Sequence, residues 1–376
     1  MELFVTDQKT LEDDGWLPGP YQIEDDQDEA PKIRKSAERY IETLLEFNPD
    51  ATEQLDLRDR HLTTMEQLGE KARKGSLQVI GEIRHHFPVI EKQLDQGSWL
   101  YGNFTDIENL SRSLNPQLNQ VSDAPLPRLL DRVLFFRTTP VKRHLAQFES
   151  RRNDAVRLVD SLAKVEDVFE KDIELFKSQI RTLGEFCTSL GRNIYLGRAI
   201  EDNLARALEH DVLPEDPRRE FIETEQIPRV RKRVTGLKHQ LQLNRAFITA
   251  LTVALLNTET LYKALKRLNS DLVSAFSMGI AMARERFGMT MEPLAGEEPP
   301  PSDNPISAPL PLTALTAAFS RITELTSSAK AFMPLSLEAF KAASAGLPEF
   351  QKKVEEASRG KQPVDLDITQ EHARGV

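Results

Sequence analysis

The chain has 376 residues, 39% hydrophobic, 29% charged and 7% aromatic, with a formal net charge of −10. That is long enough for a sizeable core and more than one domain, and it is too polar for a membrane bundle. The charge is uneven: residues 1–30 carry ten acids against the single base Lys9, so the remainder is close to neutral and has no bulk field for nucleic acid.

Cys187 is the only cysteine, which excludes an internal disulfide framework and fits a reducing compartment. The first residues are acidic where a signal peptide needs a basic then apolar run. The longest apolar run, around Ala246–Leu256, falls short of the roughly 20 residues that span a bilayer. These features predict a soluble cytoplasmic protein with no transmembrane segment.

Residues 1–31 combine acids with Pro18, Gly19, Pro20 and Pro31 and show no helical period, so a disordered acidic tail is expected. An N-terminal helical bundle follows over 32–120. Its first helix is expected from Lys32 to about Phe47, stopped by Asn48 and Pro49, with others over 52–75 and 76–95. Gly97 and Gly102 bracket an expected turn around Trp99, Tyr101 and Phe104. His61, His85 and His86 read as surface or boundary residues, because neighbouring helical positions diverge by about 100° and no further ligand completes a metal set. No metal site and no cofactor is expected. Residues 115–127, with three prolines, read as a linker into a segment over 129–148.

The core expectation is a long helical hairpin over 128–291. Leu158, Leu162, Val165, Phe169, Ile173, Phe176, Ile180, Leu183, Cys187, Leu190 and Ile194 recur at steps of three and four, marking one face of one long helix that ends near His210. Pro214 and Pro217 force a turn. The return helix carries a second seam, Ile227, Val230, Val234, Leu237, Leu241, Asn244, Ile248, Leu251 and Leu255, at a strict 3.5-residue spacing, and Thr258, Tyr262 and Leu265 continue it. The seams predict an all-α fold: an elongated, antiparallel, coiled-coil-like hairpin with small C-terminal helices. Residues 292–311 hold seven prolines and read as an extended linker. Two modest amphipathic helices are expected beyond it, at 312–331 and 336–357, within a C-terminal segment 312–376.

No P-loop, dinucleotide turn, metal spacing or nucleophile elbow stands out, so no catalytic residue is assigned and a non-enzymatic protein is expected. The densest basic run, Arg229, Arg231, Lys232 and Arg233, has the donors to hold an oxyanion. The preferred reading of the run is a solvated helix face paired with Glu220, Glu223 and Glu225. Asn244 and Asn257 are polar residues on the apolar seam, where such residues commonly fix register. Cys187, on the first seam, reads as a packing residue.

The order of residues carries a further signal. V-R-K-R-V-T-G-L-K-H-Q-L-Q-L-N at 230–244, L-N-T-E-T-L-Y-K at 256–263 and D-L-V-S-A-F at 271–276 resemble the toxic-anion (tellurite) resistance family of TelA-like proteins. T-P-V-K-R-H-L at 139–145, F-E-K-D at 169–172 and L-G-R-N-I-Y-L-G-R-A-I-E-D-N-L at 190–204 agree with it, and the resemblance covers about 50–290. Gly236-Leu237, Asn257-Thr258 and Asp172-Ile173 depart from the polar pairs of that pattern. The resemblance implies a bacterial cytosolic helical protein of tellurite and related stress resistance, without catalytic activity. It would work as a scaffold or adaptor on other proteins of a stress-resistance system, or through a second copy of the chain. The alternative is a direct oxyanion-binding or sequestering protein using the basic helix face.

Overall fold

A computed structural model describes residues 28–49, 51, 54–121, 140–292, 294 and 312–358, and among them every regular element is helical. Residues 1–27 of the expected acidic tail, the 129–139 segment, nearly all of the Pro-rich linker and residues 359–376 lie outside these; the end of the expected tail, Glu29 to Pro31, is instead the first turn of a helix, with Glu29 held by the Arg192 guanidinium at 2.6 and 2.7 Å. No described helix is long and apolar enough to cross a membrane.

The chain forms two compact units. Among the described residues the first, here the turn unit, draws on 28–87, 177–252 and 342–358; the second, the aromatic unit, draws on 88–176 and 253–341. In chain order the helices are α1 Glu29–Leu45, α2 Leu55–Gln67, α3 Glu70–Leu94, α4 Trp99–Leu114, α5 Pro140–His210, α6 Pro217–Phe221, α7 Ile227–Phe287, α8 Leu312–Ser344 and α9 Leu347–Ser358. A π-helical segment, Ile222–Gln226, joins α6 to α7.

The turn unit is built around the end of α5 and the start of α7. Leu190, Ile194, Ile200 and Leu204 of α5 pack with Val230, Val234 and Leu237 of α7 in one buried cluster. Ala37, Ile41 and Leu44 of α1 and Met65 of α2 complete that cluster. Gly197 makes the approach of α5 to α7 close, since a Cβ there would lie 2.4 Å from Val234 Cγ2. The turn falls where its prolines predict: Asp216 caps α6 by accepting from the Arg218 N–H at 2.9 Å, and Pro217 occupies the first helical position, where its missing N–H costs nothing. The Arg218 guanidinium also clasps Asp216, holding that carboxyl below its usual range, and reaches the carbonyl of Leu45 at the end of α1.

The aromatic unit centres on Phe148 of α5, whose ring meets Phe276 of α7 at 5.2 Å and Phe319 of α8 at 5.9 Å. Gly279 leaves room for it, as a Cβ there would fall 2.3 Å from the Phe148 ring. His144 is buried beside Phe148, its Nε2 against the Leu114 carbonyl at 3.1 Å and its Nδ1 without a hydrogen-bond partner among the described residues. Lys330 of α8 is tied to Glu108 of α4 at 3.0 Å and lies over the Tyr101 ring.

Several sequence expectations need correction. The break in the 52–95 region is at Leu68-Gly69, where Gly69 takes φ +67, and not at Gly75. Gly75 lies inside α3, where a Cβ would meet the Phe186 ring at 2.5 Å, so close packing and not a turn explains it. Trp99, Tyr101 and Phe104 are helical, because the Ser98 hydroxyl caps α4 by accepting from the Tyr101 N–H at 3.2 Å. His61 is buried, packed on the rings of Tyr40 and Phe47. The C-terminal helices are one of 33 residues that runs through Pro334 and one of 12; Gly346, at φ +75, separates them.

All eleven residues of the first seam are buried. On α7, however, Gln240, Leu243, Phe247, Ala250, Ala254, Leu261 and Leu268 are buried besides the seam, while Ile227, Leu241 and Tyr262 are only partly so. A two-stranded seam buries one stripe; α7 buries a much wider face, so its environment is that of a helix packed on several sides.

Candidate functional site

The four basic candidates do not act as one face. Arg229, Lys232 and Arg233 line a cleft of about 670 Å³ together with Glu66 of α2, Glu70 and Arg73 of α3, and Gly236 of α7. Arg231 lies outside it and pairs with Glu201 of α5 at 2.5 Å. Spacing accounts for the split, since positions 229, 232, 233 and 236 share one side of a helix while 231 points away.

Glu70 organises the cleft. The Arg73 guanidinium donates to it through Nε at 2.9 Å and through Nη2 at 2.8 Å, and Arg233 adds a third bond at 2.8 Å. Arg233 is itself fixed by a 2.6 Å bond from Nε to the Leu68 carbonyl. That carbonyl is available because Leu68, at ψ 116, has left the helical path before Gly69. Arg73 first, and Arg233 beside it, hold the Glu70 carboxyl down at about 2. Arg229 is paired with Glu66. Lys232 is exposed and forms no ion pair with any described residue.

These partners differ from those the sequence suggested. The basic run meets Glu66, Glu70 and Glu201, from α2, α3 and α5. Glu225 pairs with Arg58 and Glu223 with Arg219. Four cations thus face two carboxylates, which leaves the cleft a surplus of two positive charges. Gly236 forms part of its wall, and a Cβ added there would meet nothing within 4 Å. Glu66, Glu70 and Arg73 were not singled out from the sequence, and Gly236 stood out there only as a departure from the family pattern. The three side chains lie over 150 positions before their α7 partners, and the only local mark is the Glu70/Arg73 spacing of three.

The two seam asparagines are both buried. The Asn244 Oδ1 accepts from the buried Gln240 amide at 3.0 Å, and its side chain lies beside the Cys187 thiol. The Asn257 Nδ2 donates to the Ser336 carbonyl at 3.1 Å, so this side chain ties α7 to α8 within the aromatic unit. Cys187 is buried beside this seam, and burial pushes its thiol pKa up against the opposing influence of Arg245 and Asn244. A raised thiol pKa at a buried site gives an unreactive side chain. Among the described residues, no three His, Cys, Asp or Glu side chains group closely enough to hold a metal ion.

Comparison of the chain with known protein families, with curated proteins and with solved structures finds no match in any of the three.

Proposed function

We propose that this chain is a non-enzymatic helical adaptor of the TelA-like, toxic-anion resistance type, acting in the bacterial cytoplasm through contacts with other proteins of a stress-resistance system. The observation that carries the reading is where the resembling residues lie. Apart from Thr139, all of the quoted runs fall on α5 and α7, the helices that enter both units and supply Leu190, Val234, Phe148 and Phe276 to their cores. Two buried polar members of those runs serve packing: Asn244 bonds Gln240, and Asn257 holds α8. A long antiparallel hairpin belongs to the same proposal, as a frame whose outer faces meet partners.

The test is quantitative affinity purification of the full chain from cells grown with and without tellurite, together with survival of a deletion strain on tellurite. The adaptor reading expects defined proteins at near-stoichiometric yield and a tellurite-sensitive deletion strain. A chain that purifies alone from both cultures, in a strain whose deletion leaves survival unchanged, rejects it.

A second reading, direct capture of an oxyanion, is favoured by the cleft, where Arg229, Lys232 and Arg233 converge with Arg73. Its weakness is that three of the four cations already hold carboxylates.

A further inference from the structure

We propose that the cleft between the α2–α3 junction and α7 receives a phosphorylated small molecule, held by its phosphomonoester group. This goes beyond the adaptor reading and stands or falls separately from it.

The cleft is already arranged around an anion. The guanidinium groups of Arg73 and Arg233 converge on one carboxylate, Glu70, through three bonds of 2.8–2.9 Å. Glu70 thus marks the place where an acid group sits. A carboxylate offers two oxygens and a phosphoryl group three, so a phosphoryl group can satisfy both guanidinium groups and leave an oxygen for Lys232 on the same wall. The surplus of two positive charges matches a phosphomonoester dianion. The Leu68 carbonyl pins Arg233 before any ligand arrives, which lowers the entropy lost on binding.

Size separates an organic phosphate from a bare oxyanion. The volume of about 670 Å³ falls within the roughly 300–1,000 Å³ of small-molecule sites, and an inorganic oxyanion leaves most of it to water. At Gly236 the α7 backbone is open to the cleft, with no atom beyond the local helix backbone within 4 Å of a Cβ position, so the organic part of a ligand can lie against the helix. Glu70 then acts as an internal competitor: the incoming phosphate must share or displace its carboxylate. From this follows a signature that an ordinary ion-pair network lacks, since removing the Glu70 charge should loosen the fold yet tighten the ligand.

The experiment is calorimetric titration of the full chain at physiological ionic strength with phenyl phosphate and glycerol 3-phosphate, with inorganic phosphate and tellurite run in parallel. Saturable one-to-one binding of the phosphomonoesters is expected. Lys232→Ala should weaken it about tenfold, the loss of one charge-assisted contact. Glu70→Gln should tighten it by roughly threefold or more, as the competing carboxylate is neutralised. Gly236→Asp should abolish it while preserving the thermal transition, because the added Cβ meets open space and the side chain brings a third carboxylate into the cleft. The inference is overturned if neither phosphomonoester saturates, or if Gly236→Asp binds as well as the parent chain. Inorganic phosphate or tellurite binding as tightly as the phosphomonoesters also rejects it, and moves the cleft to the oxyanion-capture reading instead.

Discussion

Replacing Glu70 by Gln removes the charge that draws Arg73 and Arg233 together while leaving the side chain's size unchanged. Holding this carboxyl at about 2 against an ordinary 4.5 corresponds to roughly 3 kcal/mol of preference for the ionised, paired form. The Glu70 side chain is 24% exposed, and solvent screening brings the stabilisation to about 2 kcal/mol. The effect is best read locally, because Glu70, Arg73 and Arg233 all lie within the turn unit. Hydrogen exchange of peptides covering 69–80 and 227–240 should speed up by about thirtyfold in Glu70→Gln at neutral pH, the equivalent of 2 kcal/mol. The pH dependence has a definite sign. The native carboxyl is depressed, so its contribution is complete above 4.5 and is lost as pH falls toward about 2. The ratio of parent to variant protection should therefore shrink as the solution is acidified through that window. In an Arg73→Gln background the same substitution should cost at least about 1 kcal/mol less. Unchanged protection in Glu70→Gln, or a loss that does not vary with pH, would refute the reasoning.

Gly279→Ala should destabilise the aromatic unit by about 1–3 kcal/mol, since its Cβ meets a Phe148 ring hemmed in by Phe276 and Phe319; Gly236→Ala, which meets nothing, should stabilise α7 by up to about 1 kcal/mol. Thermal melts with opposite signs check the pair. Asn244→Leu alone should cost about 1 kcal/mol because it strands the buried Gln240 amide, whereas Gln240→Leu/Asn244→Leu should recover the loss; equal loss in the double variant contradicts this in urea titrations. Burial lowers the pKa of His144 from its ordinary 6.5, so its contribution to stability is complete above 6.5 and is lost as pH falls through the lowered native value. Melts across this range should show a smaller acid loss in His144→Gln than in the parent chain, and an identical loss rules His144 out.

The fold was legible where one element set its own pattern. The α5 seam from Leu158 to Ile194 needs only a helical period, and every member is buried. The turn at Pro214 and Pro217 follows from backbone chemistry that neighbours cannot override. Gly69, Gly75 and Gly346 were harder, because a glycine signals either a positive φ or a close approach, and only the packing partner says which. Gly75 faces Phe186, more than a hundred residues on, and no local rule could place that ring. The second buried face of α7, with Leu243, Phe247 and Leu261, escaped because a strict heptad drew attention to one stripe. The basic run at 229–233 was visible, but its partners came from α2, α3 and α5. A sequence shows which cations are dense and not which carboxylates will meet them.

The central claim, that the chain works through protein contacts and does not capture the toxic anion, is tested most directly by titrating tellurite into the purified full chain at physiological salt. The adaptor account predicts no saturable binding, because a bare oxyanion must displace Glu70 and Glu66 from Arg73, Arg229 and Arg233 and has no organic part to fill the rest of a cleft of about 670 Å³. Tight, stoichiometric binding that disappears when Arg229, Lys232 and Arg233 are replaced together by alanine would contradict it.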